Sequence, residues 1–138
     1  MKKIIDLDQN QNNMKKLLIL IFSFLISFNS YGEWVKVIES DGDHTYYIDI
    51  DSLKEENGYV YYWAMADGQK PDEWGDMSTR FYFQGECGLF RLKYLSYIYS
   101  KQPMGRGDGE VDNTSSEWIH PTPESIVGVL LSQVCAIY

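Results

Sequence analysis

The chain has 138 residues, 44% of them hydrophobic and 15% aromatic, and carries a formal net charge of −8. That length suits one domain with ample apolar material for a core, which excludes an intrinsically disordered chain. The acidic balance, with lysines and arginines scattered rather than clustered, repels phosphate backbones and anionic headgroups and excludes nucleic acid and anionic lipid surfaces as partners.

Lys15 and Lys16 precede a largely apolar run from Leu17 to Phe28, and Ser30-Tyr31-Gly32 offers small residues at the two positions that determine signal cleavage. This is the pattern of a secretory signal peptide over residues 1–32, leaving 33–138 as the mature domain. The run is shorter than the roughly 20 apolar residues of an ordinary spanning helix, so no stable membrane span is expected after cleavage. Met14, followed by two lysines, is an alternative start that would leave residues 1–13 outside the translated chain. No cysteine closes the apolar run, so no lipid-attachment site is expected there. Removing residues 1–32 takes away four lysines and two aspartates and moves the net charge from −8 to −10. Cys87 and Cys135 are then two cysteines in an exported chain, and an oxidising destination predicts a disulfide between them rather than two buried thiols. Closing a loop of that length stabilises by about 4 kcal/mol in the chain-entropy model.

Trp34 to Glu39 reads as a first strand, the turn residues Ser40-Asp41-Gly42-Asp43 follow, and Thr45 to Ile50 returns as the second strand of a hairpin. Asp51 to Lys54 starts like a helical turn, and Asn57-Gly58 is a strong turn dipeptide. Tyr59 to Ala66 is apolar on both faces, as a strand covered on each side must be. After a polar loop from Asp67 to Met77, Ser78 to Cys87 forms a fourth strand, with Phe81, Phe83 and Cys87 on one parity and a bulge or turn expected at Gln84-Gly85-Glu86.

Cys87 to Ser100 is the longest run of strand-forming residues and reads as the central strand. Its alternation sets Phe90, Leu92, Tyr94 and Ile98 on one side and Arg91, Lys93, Tyr97 and Tyr99 on the other. Lys101 to Glu117 is a long loop, with a short sixth strand around Trp118 and Ile119. Thr122 then caps a helix with Pro123 at its first position, running to about Val134. Its apolar stripe of Ile126, Leu130 and Val134, flanked by Val127, Leu131 and Cys135, should lie on the sheet. A Cys87–Cys135 bond would place the helix on the face carrying Phe81 and Phe83. The expected fold is α+β: an antiparallel sheet of five to six strands with one C-terminal helix on one face.

Several segments together carry a family resemblance: Trp34-Val35-Lys36-Val37, Tyr46-Tyr47-Ile48-Asp49 with Ser52-Leu53, the aromatic strand ending at Trp63, Lys70-Pro71-Asp72-Glu73, Cys87-Gly88-Leu89-Phe90-Arg91, Pro103-Met104-Gly105-Arg106-Gly107, and a closing helix with a late cysteine. In order and spacing they resemble the surface-adhesin protein E family of Gram-negative bacteria over about Glu33 to Cys135. The resemblance implies an antiparallel sheet with a C-terminal helix and an exported, non-enzymatic protein. The family's best-known member is a lipid-anchored adhesin that binds host matrix and serum proteins and dimerises. This chain lacks a lipidated cysteine, which points to a periplasmic or secreted form, with cell-surface association as the alternative.

No catalytic set stands out. His44 and His120 lack metal-ligand spacing, Asp41, Asp43, Asp49 and Asp51 do not follow a calcium loop and read as turn residues, and no nucleophile elbow or Cys-x-x-Cys motif occurs. No cofactor or metal is expected. Arg106-Gly107-Asp108 is the tripeptide that matrix proteins use to engage integrins, placed in a glycine-rich loop; the alternative is a structural loop in which Arg106 pairs with an acid on the sheet. Tyr47, Tyr97 and Tyr99 fall on the parity opposite the expected core face and would form an exposed aromatic patch, a partner surface or homodimer seam, unless the two long loops bury them. The expected role is an exported binding protein engaging matrix or envelope proteins, with a periplasmic structural or accessory protein as the alternative.

Overall fold

The computed structural model describes residues 10–21, 32–40 and 42–138. The chain divides into two compact units, Met1–Gly32 and Glu33–Tyr138. In the first, residues 10–21 form a helix, α1. Ser30 and Tyr31 of the expected cleavage site lie outside the described residues, as does Asp41. Among the described residues no helix is long and apolar enough to cross a membrane.

The second unit is built on seven antiparallel strands: β1 (Trp34–Glu39), β2 (His44–Asp49), β3 (Lys54–Glu56), β4 (Tyr59–Gly68), β5 (Ser78–Glu86), β6 (Arg91–Ser100) and β7 (Gly109–Asp112). Their order is β1-β2-β4-β5-β6-β7, with β3 also paired to β4. One helix, α2 (Ile126–Cys135), follows. This is the expected α+β architecture, with a few more strands than the five to six anticipated. The extra ones are short and charged. β3 reads Lys-Glu-Glu and closes a tight hairpin on β4 through Asn57 (φ 53°) and Gly58 (φ 84°), the left-handed pair that such a turn requires.

The apolar stripe of α2 lies on the sheet face that carries Phe83. Leu130, Leu131 and Val134 join Val60, Tyr62, Phe83 and Leu92 in one buried cluster, with Phe81, Tyr94 and Cys87 packed against it. Each such side chain contributes roughly 1.5–3 kcal/mol by leaving water. Cys87 and Cys135 are disulfide-bonded, with Cα atoms 5.7 Å apart, so the last turn of the helix is tied to the turn after β5. Gly85 lets the helix come this close. A Cβ there would stand 2.8 Å from Leu131 Cδ1 and 2.9 Å from Val60 Cγ2. The glycine expected to mark a bulge therefore sits in regular pairing, Val60 to Gly85 to Leu92, and serves close approach instead.

The bulge lies across from it, in β6. Tyr82 pairs with Ser96 and Phe83 with Tyr94, leaving Leu95 as the extra residue. One inserted residue reverses the parity of everything beyond it. Tyr97 then pairs with Phe81, so Tyr97 and Tyr99 fall on the α2 side of the sheet rather than opposite the core, and Ile98 moves to the other face. Tyr47 pairs with Met65 and stays on that other face, so the three tyrosines do not form one patch.

Further boundaries shift for local reasons. Residues 87–90 form a turn, with Phe90 at φ 46°, so the strand begins at Arg91; β6 lies one strand in from the edge, and β4 and β5 hold the centre. Ser125, not Thr122, caps α2, its Oγ accepting from the Gly128 N–H at 3.1 Å while donating to the Thr122 carbonyl at 2.7 Å. The sixth strand near Trp118 reduces to a single bridge, Leu92 to Ile119.

The face away from α2 is covered by the chain after β6. A short 3-10 turn, Pro103–Gly105, is held down by Met104 N–H donating to Asp67 Oδ1 (2.6 Å) and Gly105 N–H donating to Ser78 Oγ (2.8 Å). Further on, the Trp118 ring sits under the Arg91 guanidinium at 4.1 Å and the Lys93 ammonium at 4.8 Å, and stacks on Tyr59.

Candidate functional site

The aromatic side chains on the α2 face grade from core to solvent along β6. Tyr94 meets the buried Phe83 edge-on at 4.6 Å. Tyr97 stacks on Tyr94 with centroids 5.2 Å apart, and Phe81 meets Tyr97 edge-on at 5.8 Å. Tyr99 continues the ladder, its ring nearly parallel to that of Tyr97 with centroids 6.2 Å apart. The Leu95 bulge makes this possible, because without it Tyr94 and Tyr97 would face opposite sides of the sheet.

Beyond Tyr99 the surface opens into a cavity of about 410 Å³ lined by Trp74, Asp76, Tyr99, Lys101 and Glu110. Trp74, 72% exposed, stands in the β4–β5 loop. Asp72 organises that loop, its Oδ1 accepting from the N–H groups of Trp74 (2.9 Å) and Asp76 (2.8 Å). Lys101 closes it, donating to the Trp74 carbonyl and pairing with Asp76, each at 2.8 Å. Its hydrogen bond to Asp76 raises the ammonium's pKa above the ordinary lysine value.

β7 supplies the acidic side. Asp112 pairs with Tyr97 and Glu110 with Tyr99, so both carboxylates share the tyrosines' face. Burial raises the Tyr99 phenol above its ordinary pKa, and the neighbouring Asp112, Asp76 and Glu110 carboxylates push it the same way. Tyr97 is raised by burial first, then by Tyr99 and Asp112. A negative potential therefore lies over an aromatic floor, which suits reversible binding of a cationic group.

Of the residues singled out from sequence, Tyr97 and Tyr99 stand together here, and Tyr47 stands on the opposite face. Arg106, Gly107 and Asp108 form the exposed approach to β7. Among the described residues Arg106 makes no ion pair, so the alternative of Arg106 pairing with an acid on the sheet is not realised. The sequence reading missed Trp74, Lys101, Glu110 and Asp112. The one available signal was a lone tryptophan in a polar loop, and the alternation Glu110-Val111-Asp112 is too short and too charged to read as a strand.

Elsewhere Asp43, Asp49 and Asp51 have structural roles, Asp51 Oδ2 accepting from the Glu33 N–H at 3.4 Å. Asp49 Oδ1 accepts from the Asp51 N–H at 3.0 Å, and Asp43 pairs with Lys70 at 3.5 Å. Among the described residues no group of three or more His, Cys, Asp or Glu is placed to hold a metal ion.

Comparison with known proteins agrees with this architecture. Solved structures of Haemophilus influenzae protein E share the fold. Crystal form II is 18% identical with a TM-score of 0.63, covering 80% of this chain and 92% of that one. A structure from the non-typeable organism is 16% identical with a TM-score of 0.54, covering 77% and 76%. No curated protein sequence matches the chain. The family model for surface-adhesin protein E matches residues 34–136, nearly the whole of the second unit, and the chain belongs to that family.

Proposed function

We propose that this is an exported, non-enzymatic binding protein that engages a protein partner through the Tyr97–Tyr99 surface and the cavity beside it. The observation that carries the reading is the tyrosine ladder, anchored in the core at Tyr94 and ending at an open cavity beside a largely exposed Trp74. Rigid, half-buried tyrosines offer apolar area at little entropic cost, as partner surfaces do. Membership in a surface-adhesin family and the Cys87–Cys135 bond support export. In this reading residues 1–32 are a signal peptide, the mature chain reaches the periplasm or the exterior without a lipid anchor, and the partner is a matrix or envelope protein.

Tyr97→Ser with Tyr99→Ser tests this. Capture of partners from matrix and envelope extracts should fall sharply while the melting temperature stays within a few degrees. Undiminished capture would overturn the reading, and so would unfolding of the variant, which would make those rings core. Cell fractionation separates adhesion from a periplasmic accessory role: a strictly periplasmic protein cannot meet host matrix.

A further inference from the structure

We infer that the outer edge of β7 takes up an extended polypeptide segment in which cationic and apolar residues alternate, laid so that its cations lie beside Glu110, Asp112 and the Tyr97–Tyr99 rings. The inference deepens the proposed function and rests on its assignment of that surface.

β7 ends the sheet, paired to β6 on one side only, and all four of its residues are exposed. An edge strand presents unpaired backbone N–H and C=O groups, a template for another strand. The far edge, β1, is blunted by a bulge at Val37 and carries Lys36 paired with Glu39, two devices that discourage strand addition. β7, Gly-Glu-Val-Asp, has neither lysine, proline nor bulge; its protection is its shortness and its two carboxylates, which repel acidic strands but not a cationic one.

Register fixes the chemistry of the added strand. Glu110 and Asp112 share the tyrosine face, while Val111, 56% exposed, lies beside Ile98 on the other. Residues of an incoming strand alternate in the same way, so those beside the carboxylates should be lysine or arginine and those beside Val111 apolar. Asp112 opposite Tyr97 and Glu110 opposite Tyr99 provide the complementary negative potential. A second copy of this chain is the wrong occupant, because antiparallel pairing of two β7 strands centred on Val111 would set Glu110 against Asp112, like charges directly opposite.

The probe is a short acetylated, dye-labelled peptide alternating lysine with valine or threonine, followed by fluorescence anisotropy on the purified protein. Glu110→Gln with Asp112→Asn should weaken binding by about four- to ninefold, taking about two- to threefold for each exposed ion pair. The asparagine keeps an acceptor for the Thr114 N–H that Asp112 now receives at 2.9 Å, so the strand end is preserved. A glutamate-for-lysine peptide should not bind, and methylating the backbone nitrogens along the edge-facing side of the lysine peptide should abolish binding. Equal affinity of the methylated peptide, or of the doubly neutralised protein, would overturn strand addition. If the lysine peptide fails to bind while Tyr97→Ser with Tyr99→Ser still abolishes partner capture, this inference falls and the surface assignment stands; if capture also persists, both fall.

Discussion

Gly85→Ala probes the seating of the helix on the sheet more sharply than deletion of a core side chain. The new methyl would lie 2.8 Å from Leu131 Cδ1 and 2.9 Å from Val60 Cγ2, against an ordinary carbon–carbon contact of about 3.5–4.0 Å. Leu131 is fully buried and Val60 is stiff at χ1, so neither yields easily. Overpacking of this kind costs about 1–3 kcal/mol. Loss of glycine's freedom in the unfolded chain returns about 0.4–1 kcal/mol. Taking the middle of each range, the net expectation is a destabilisation of about 1.3 kcal/mol. Leu131→Ala alone should cost about 2–5 kcal/mol through the cavity it leaves. In the Gly85→Ala background it should cost distinctly less, because the added methyl occupies part of that cavity. Urea denaturation of the four proteins, disulfide intact, closes the cycle. A neutral or stabilising Gly85→Ala, or strictly additive energies, would show that Leu131 does not rest on Gly85 and that the helix sits elsewhere.

Other outcomes follow from the same packing. Replacing Cys87 and Cys135 together by serine releases a tie between residues 48 apart and should cost about 4 kcal/mol, lowering the melting temperature by roughly 15 °C; an unchanged melt would contradict it. Among the described residues the Tyr62 hydroxyl is buried without a hydrogen-bond partner, so Tyr62→Phe should leave stability unchanged or raise it by about 1 kcal/mol in chemical denaturation, whereas a loss would reveal a hidden partner. Burial raises the phenol pKa values of Tyr62 and Tyr94, so between the unfolded value of about 10 and the higher folded values the unfolded chain binds fewer protons. Stability is therefore fully present below about pH 10 and falls as pH rises beyond it. Absorbance of these tyrosinates should appear together with loss of near-ultraviolet circular dichroism rather than before it.

Much of the fold is legible in the sequence because it follows from period and compartment. Ile126, Leu130 and Val134 specify one helix face, Phe81 and Phe83 one strand face, and the Cys87–Cys135 disulfide joins the two. The surface was less legible. A bulge at Leu95 carries no local marker, since leucine is an ordinary strand residue; the register shift satisfies Tyr94 and Tyr97 together against Phe83 and Phe81, and that depends on long-range pairing. One uncounted residue was enough to send Tyr97 and Tyr99 to the wrong side and to group them with Tyr47. β7 escaped notice because Gly109, Glu110 and Asp112 have weak strand propensity and Val111 alone favours a strand, so it is pairing to β6 that makes the segment one. Ser125 outcompeted Thr122 as cap because its Oγ reaches the Gly128 N–H.

The most direct test is a set of ring-to-ring nuclear Overhauser contacts measured on the isotopically labelled protein. Contacts from Tyr97 to Tyr94 and Phe81 are expected, at centroid separations of 5.2 and 5.8 Å, together with contacts from Leu131 methyls to groups packed around Gly85. Contacts from Tyr97 to Tyr82 and Met65 instead would put the tyrosines on the opposite face, and the binding surface drawn from them would be lost.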